Sequence, residues 1–124
     1  MTGERVYSVD EANAMLPDLR ERLTLIRDAR RVVIATSTLV KDRVAADGGG
    51  VAGEPAYFEA VRTLRAELEH LAEIDVVLRD PESGLLDFLG EVEGRRVWLC
   101  WRLGEEHVGH FHELDSGFAA RKPL

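Results

Sequence analysis

Asp80-Pro81-Glu82-Ser83-Gly84 marks the point at which the chain changes period. This cluster of turn-forming residues separates an upstream region, whose apolar residues recur at spacings of three and four, from a downstream region in which they alternate. Downstream, residues 85–92, 96–103 and 107–113 read as three short strands. They are separated by Glu93-Gly94-Arg95 and Gly104-Glu105-Glu106, each short enough for a hairpin. Burial then sets the register. Val97, Leu99, Trp101 and Leu103 share one face of the middle strand. A two-residue Glu93-Gly94 turn lays Leu86 and Phe88 beside Trp101 and Leu99, and a three-residue loop at 104–106 brings Phe111 next to Leu99. The prediction is a three-stranded antiparallel meander with one apolar face.

Upstream, Ser8-Val9-Asp10-Glu11 is a capping box, which predicts a short helix from about residue 9 to 15. Pro17 suits the first turn of a fresh helix running to about residue 45. Within it Leu16, Leu19, Leu23, Ile26, Arg30, Val33, Ser37, Val40 and Val44 form a seam. The glycine-rich stretch 47–53 reads as a flexible loop. Tyr57, Val61, Leu64, Leu68, Leu71, Asp75 and Leu78 then carry the same rhythm, predicting a partner helix from Pro55 to about residue 78. Arg30 and Asp75, polar interruptions at one level of this antiparallel hairpin, are expected to pair. Leu25, Val32 and Leu39 make a second apolar line that needs cover from the C-terminal segment or from a second copy of the chain.

The fold expected is therefore α+β: a long antiparallel helical hairpin packed on the meander, within one domain spanning 1–124. Its helical part covers 8–79, and its sheet and tail cover 84–124. The chain's 124 residues are 45% hydrophobic and 31% charged, the composition of a folded protein. Sixteen basic against 23 acidic residues leave a net charge of −7, which disfavours nucleic-acid partners. No apolar run approaches the length that spans a bilayer, and no signal region leads the chain, so a cytoplasmic location is expected. The single cysteine fits a reducing compartment.

The expected register has a chemical consequence on the face opposite the core. Asp87, Cys100 and His110 fall in one cross-strand row, with His112 two residues along. A carboxylate, a thiolate and two imidazoles on adjacent strands suit a divalent metal, zinc above all, with Glu113 and Asp115 as carboxylates that orient the imidazoles. Cys100 as a nucleophile beside His110 is a weaker reading. A second class of function is a non-enzymatic interaction module or homodimer built on Leu25, Val32, Leu39 and the outward-facing Trp98. Asp115-Ser116-Gly117-Phe118-Ala119-Ala120-Arg121-Lys122-Pro123-Leu124 is expected to fold back through Phe118 and Leu124. That would direct Arg121 at Glu113, Asp115 and Asp87 and cover Trp98.

Three stretches carry a family resemblance: residues 7–17 (YSVDEANAMLP), Gly84-Leu85-Leu86-Asp87-Phe88, and Leu99-Cys100-Trp101-Arg102-Leu103-Gly104-Glu105 followed by residues 110–124. The chain resembles the bacterial and archaeal family catalogued as domain of unknown function 2203. The resemblance implies no activity. It groups Cys100, Arg102, Glu105, His110, His112, Glu113, Asp115 and Arg121 as a polar motif without assigning roles, and it leaves Arg102 and Arg121, like Glu113 and Asp115, as supporting or structural residues.

Overall fold

The computed structural model describes residues 4–47 and 55–124, so most of the expected loop at 47–53 lies outside the described residues. The chain is α+β, with three α-helices and a five-stranded antiparallel sheet. Helix α1 (Val9–Ala14) starts on the capping box: the Glu11 N–H donates to Ser8 Oγ, and the Ser8 N–H donates to the Glu11 carboxylate at 2.8 Å. Helix α2 (Leu16–Asp47) follows after Met15, and α3 is Pro55–Glu73. Arg22 of α2 bonds Glu67 of α3 at 2.8 Å, while Ala29 and Val32 lie against Ala56 and Ala60. The two helices therefore run antiparallel, as expected.

Strand β1 (Val76–Asp80) corrects the expected helix end. Asp75 takes a φ of 58°, a left-handed conformation that closes α3 and turns the chain, so Val76 to Asp80 extend along the sheet instead of continuing the helix. Asp75 consequently does not meet Arg30. Its carboxylate accepts the Arg5 N–H at 3.1 Å, and the Arg30 guanidinium reaches Glu82 at 3.4 Å. Leu68, placed on the seam by its spacing, is 41% exposed.

The sheet has five strands where three were expected, and their order in space is their order in the chain. Strand β2 (Leu85–Val92) pairs with β3 (Arg95–Arg102) through a two-residue turn at Glu93 and Gly94, both with positive φ, as a tight primed hairpin requires. The register is the expected one: Leu86 opposite Trp101, Phe88 opposite Leu99, Asp87 opposite Cys100. Strand β4 (His110–His112) pairs Leu99 with Phe111 and Cys100 with His110, again as expected.

The connection to β4 is longer than the predicted three residues. The hairpin stops zipping after Cys100–His110 because residues 103–109 fold onto the helices: the Val108 N–H donates to Asn13 Oδ1 at 2.7 Å, and Arg20 donates to the Glu106 carbonyl at 2.7 Å. Residues lost symmetrically from both arms leave the pairing parity unchanged, which is why the register survives. Strand β5 (Lys122–Pro123) adds the last edge.

Leu16, Leu19, Leu23 and Ile26 of α2 and Leu71 of α3 meet Leu86, Phe88, Val97, Leu99 and Trp101 in one buried core. Tyr7 joins it from the N-terminal side, its N–H donating to the Leu89 carbonyl and its hydroxyl to the Ile74 carbonyl. Gly90 permits this approach. A Cβ there would stand 2.6 Å from Leu99 Cγ and 3.0 Å from the Tyr7 carbonyl oxygen. Leu25, Val32 and Leu39 receive no cover from the C-terminal segment and stay 49%, 37% and 45% exposed.

Candidate metal centre

Alternation along β2, β3 and β4 turns Asp87, Cys100 and the two histidines away from the core, and residues 114–118 line a cavity with Asp87 and His112. Asp87 and Cys100 are 1% exposed and His112 is 2% exposed. One ligand atom from each of these three lies within 4.8 Å of the others. Asp87 Oδ2 accepts the Arg79 Nε–H at 2.8 Å and faces His112 Nε2 at 3.0 Å, whereas Asp87 Oδ1 is buried with no partner among the described residues. A buried carboxylate oxygen left unbonded is costly, so its position is informative.

His112 is held by its other nitrogen. Nδ1 lies 3.0 Å from the Glu113 carbonyl oxygen, which can only accept, so Nδ1 carries a hydrogen. That leaves Nε2 as the atom facing the cluster. With a metal, the same ring presents its lone pair, the arrangement in which a backbone carbonyl fixes the tautomer of a ligating histidine.

Of the four ligands expected from the sequence, the fold brings three together and leaves His110 out. His110 is Cys100's direct cross-strand neighbour, but it is only half-buried and does not join the three converging ligand atoms. The supporting residues are also reassigned. The Glu113 carboxylate pairs with Arg95 at 2.9 Å, and it is the Glu113 main-chain carbonyl that orients His112. Asp115 is exposed on the wall of a neighbouring cavity.

Arg121 turns to Glu105, bonding both carboxylate oxygens at 3.0 and 2.7 Å. It does not reach the Glu113, Asp115 and Asp87 cluster because the tail returns as β5 along β4, where the Leu124 N–H donates to the Gly109 carbonyl. The tail is ordered, but not by Phe118 and Leu124, which are 36% and 48% exposed. The Phe118 ring lies instead under the guanidinium groups of Arg121, at 4.4 Å, and Arg102, at 5.0 Å. Trp98 is covered by the Arg79 guanidinium at 5.0 Å and faces a cavity shared with Arg5 and Leu89, away from the tail.

Burial, and then the nearby Asp87 charge, push the Cys100 thiol up to about 11. A buried thiol in that state is a poor nucleophile, which counts against the nucleophile reading. Glu105 moves the other way: its paired bonds to Arg121 hold it below its ordinary 4.5. A carboxyl depressed in the folded state stabilises the fold above its ordinary value, and the contribution disappears as pH falls through the depressed value. Glu105→Gln is therefore expected to flatten the loss of stability below about pH 4.5, read by denaturant unfolding across a pH series. A variant whose acid profile overlays the parent's would assign that loss to other carboxyls.

Two residues of this region went unnoticed or unassigned in the sequence. Arg79 falls at the end of the part expected to be helical, 8–79, although Val76-Val77 is a strand signal. Glu105 was named in the motif but served only as a turn residue. In the structure its carbonyl accepts the Trp101 Nε1–H at 3.1 Å, and its carboxylate accepts both the Arg102 N–H and Arg121.

Residues 5–124 match the family described as "Uncharacterized conserved protein (DUF2203)". The chain belongs to this family. The DUF2203 match takes in every strand and all of the polar cluster, so the resemblance read from the motifs extends over nearly the whole chain. No curated protein and no solved structure matches the chain. Among the described residues no helix is long and apolar enough to cross a membrane.

Proposed function

We propose that this DUF2203 protein binds one divalent metal ion, zinc in preference to others, through Asp87, Cys100 and His112. The observation that carries the reading is the unpartnered, buried Asp87 Oδ1 beside a buried sulfur and an imidazole whose Nδ1 is already committed. Oxygen, sulfur and nitrogen donors in one set suit Zn²⁺, and the sulfur disfavours Mg²⁺ and Ca²⁺. Binding has to displace the thiol proton, so uptake should release protons and weaken in acid. A thiol ligand also fits a reducing compartment, in keeping with the cytoplasm.

Elemental analysis of tag-free protein is expected to find about one zinc per chain. Cys100→Ala and His112→Ala should each remove most of it, while His110→Ala retains it. Circular dichroism shows whether each variant folds. Metal that is absent from the parent after zinc is supplied, or that survives in the Cys100→Ala and His112→Ala variants, overturns the reading.

The exposed line Leu25, Val32 and Leu39 on α2 favours a second reading, a homodimer that buries this stripe across a two-fold axis. Sedimentation at micromolar concentration tests it. A monomer, or a dimer undisturbed by Val32→Glu, rejects it.

A further inference from the structure

We infer that the metal keeps one exchangeable coordination position, and that this position takes a small organic carboxylate from the cavity under the 114–118 segment. The inference rests on the metal reading above and adds a ligand to it. A structural zinc is closed by four protein donors, whereas a site with three leaves the fourth position to water or to an incoming molecule. Among the described residues only three donors converge, and His110, the fourth candidate, is not one of them.

Asp87 and His112 also line a cavity of about 360 Å³, within the size range of small-molecule sites. Its remaining walls divide by chemistry. Leu85, Leu114 and Phe118 are apolar, and Arg79 supplies a cation. Arg79 spends its Nε–H on Asp87 Oδ2, and its two terminal nitrogens have no acceptor among the described residues. A metal with an open position and, bonded to one of its ligands, a guanidinium with two free donors lining the same cavity call for an oxyanion that spans them. Asp115 also lines the cavity, but it is exposed, where water screens its charge. The three apolar side chains favour an organic body behind the charged group, which selects a carboxylate over inorganic phosphate.

Cobalt in place of zinc gives the test, because a cysteine sulfur bound to Co²⁺ produces a charge-transfer band and the visible bands report coordination. The full-length protein loaded with Co²⁺ is titrated with benzoate, acetate and inorganic phosphate. Benzoate is expected to shift the visible bands to saturation, at lower concentration than acetate or phosphate. Arg79→Gln should raise the benzoate concentration for half-saturation roughly tenfold, with Arg79→Lys in between. Arg79→Lys, which keeps the charge, serves as the comparison should Arg79→Gln fold poorly. A sulfur–cobalt band with visible bands that no anion moves would show a closed site and overturn the inference alone. Tighter binding of phosphate than of benzoate overturns the choice of carboxylate, and a benzoate titration unaltered in both Arg79 variants overturns the role of Arg79. Absence of the sulfur–cobalt band overturns the metal reading itself.

Discussion

Trp101→Ala is expected to cost about 3–5 kcal/mol of stability and to lower Tm by roughly 10–20 °C. The side chain is fully buried on the inner face near the end of the central strand β3, opposite Leu86. Truncation would leave a ring-sized void that Leu16, Leu99 and Val108 can fill only by moving backbone. The indole also has a second attachment, its Nε1–H donating to the Glu105 carbonyl, with Arg20 stacked 5.7 Å from the ring. Trp101→Phe separates the two contributions, since it keeps most of the volume and gives up the hydrogen bond. Denaturant unfolding of both variants provides the measurement. A loss below about 1 kcal/mol in Trp101→Ala would mean that the inner face is not packed as described.

Removing residues 118–124 is expected to cost about 1–3 kcal/mol and to lower Tm by roughly 5–10 °C. The deletion takes away β5, the Leu124 bond to Gly109 and the paired bonds from Arg121 to Glu105. It also frees the loop whose Glu105 carbonyl holds Trp101. Because Phe118 and Leu124 are substantially exposed, Arg121→Ala alone should reproduce most of the loss, and Leu124→Ala little of it. Thermal melts followed by circular dichroism decide between them. An unchanged Tm for the deletion would show that the C-terminal edge contributes nothing to the fold.

How much of this was legible in the sequence depends on how many side chains voted on each question. The pairing of β2, β3 and β4 was readable because Leu86, Phe88, Leu99, Trp101 and Phe111 must share a buried face and the short turns expected at 93–94 and 104–106 select the register that does so, which also sets Asp87 against Cys100. β1 was not readable. Leu71 and Leu78 keep helical spacing straight through the turn, and a single left-handed residue, Asp75, ends the helix without a glycine to announce it. β5 consists of Lys122 and Pro123, too short to show alternation.

The candidate site divides the same way. Alternation placed both histidines on the outer face, but directly opposite and diagonal neighbours on a sheet are at comparable reach. For His112 the orientation is set by a partner invisible to periodicity, the Glu113 carbonyl. Arg121 was given the wrong carboxylate because its partner depends on the path of the returning tail, which no local pattern encodes.

Strand order that repeats chain order bears on how the molecule assembles in time. Each ladder joins neighbours in sequence, so each closes a short loop at little entropic expense, and the sheet can zip outward in both directions from the Glu93–Gly94 turn. The contact between Tyr7 and Leu89 is of another kind. It closes a loop of roughly 80 residues that contains all three helices, and it needs Gly90 already seated against Leu99. The N-terminal segment is therefore expected to dock late, as a clasp over a sheet and helical pair, and hydrogen exchange at the Tyr7 amide faster than at the Leu99 amide would bear that out.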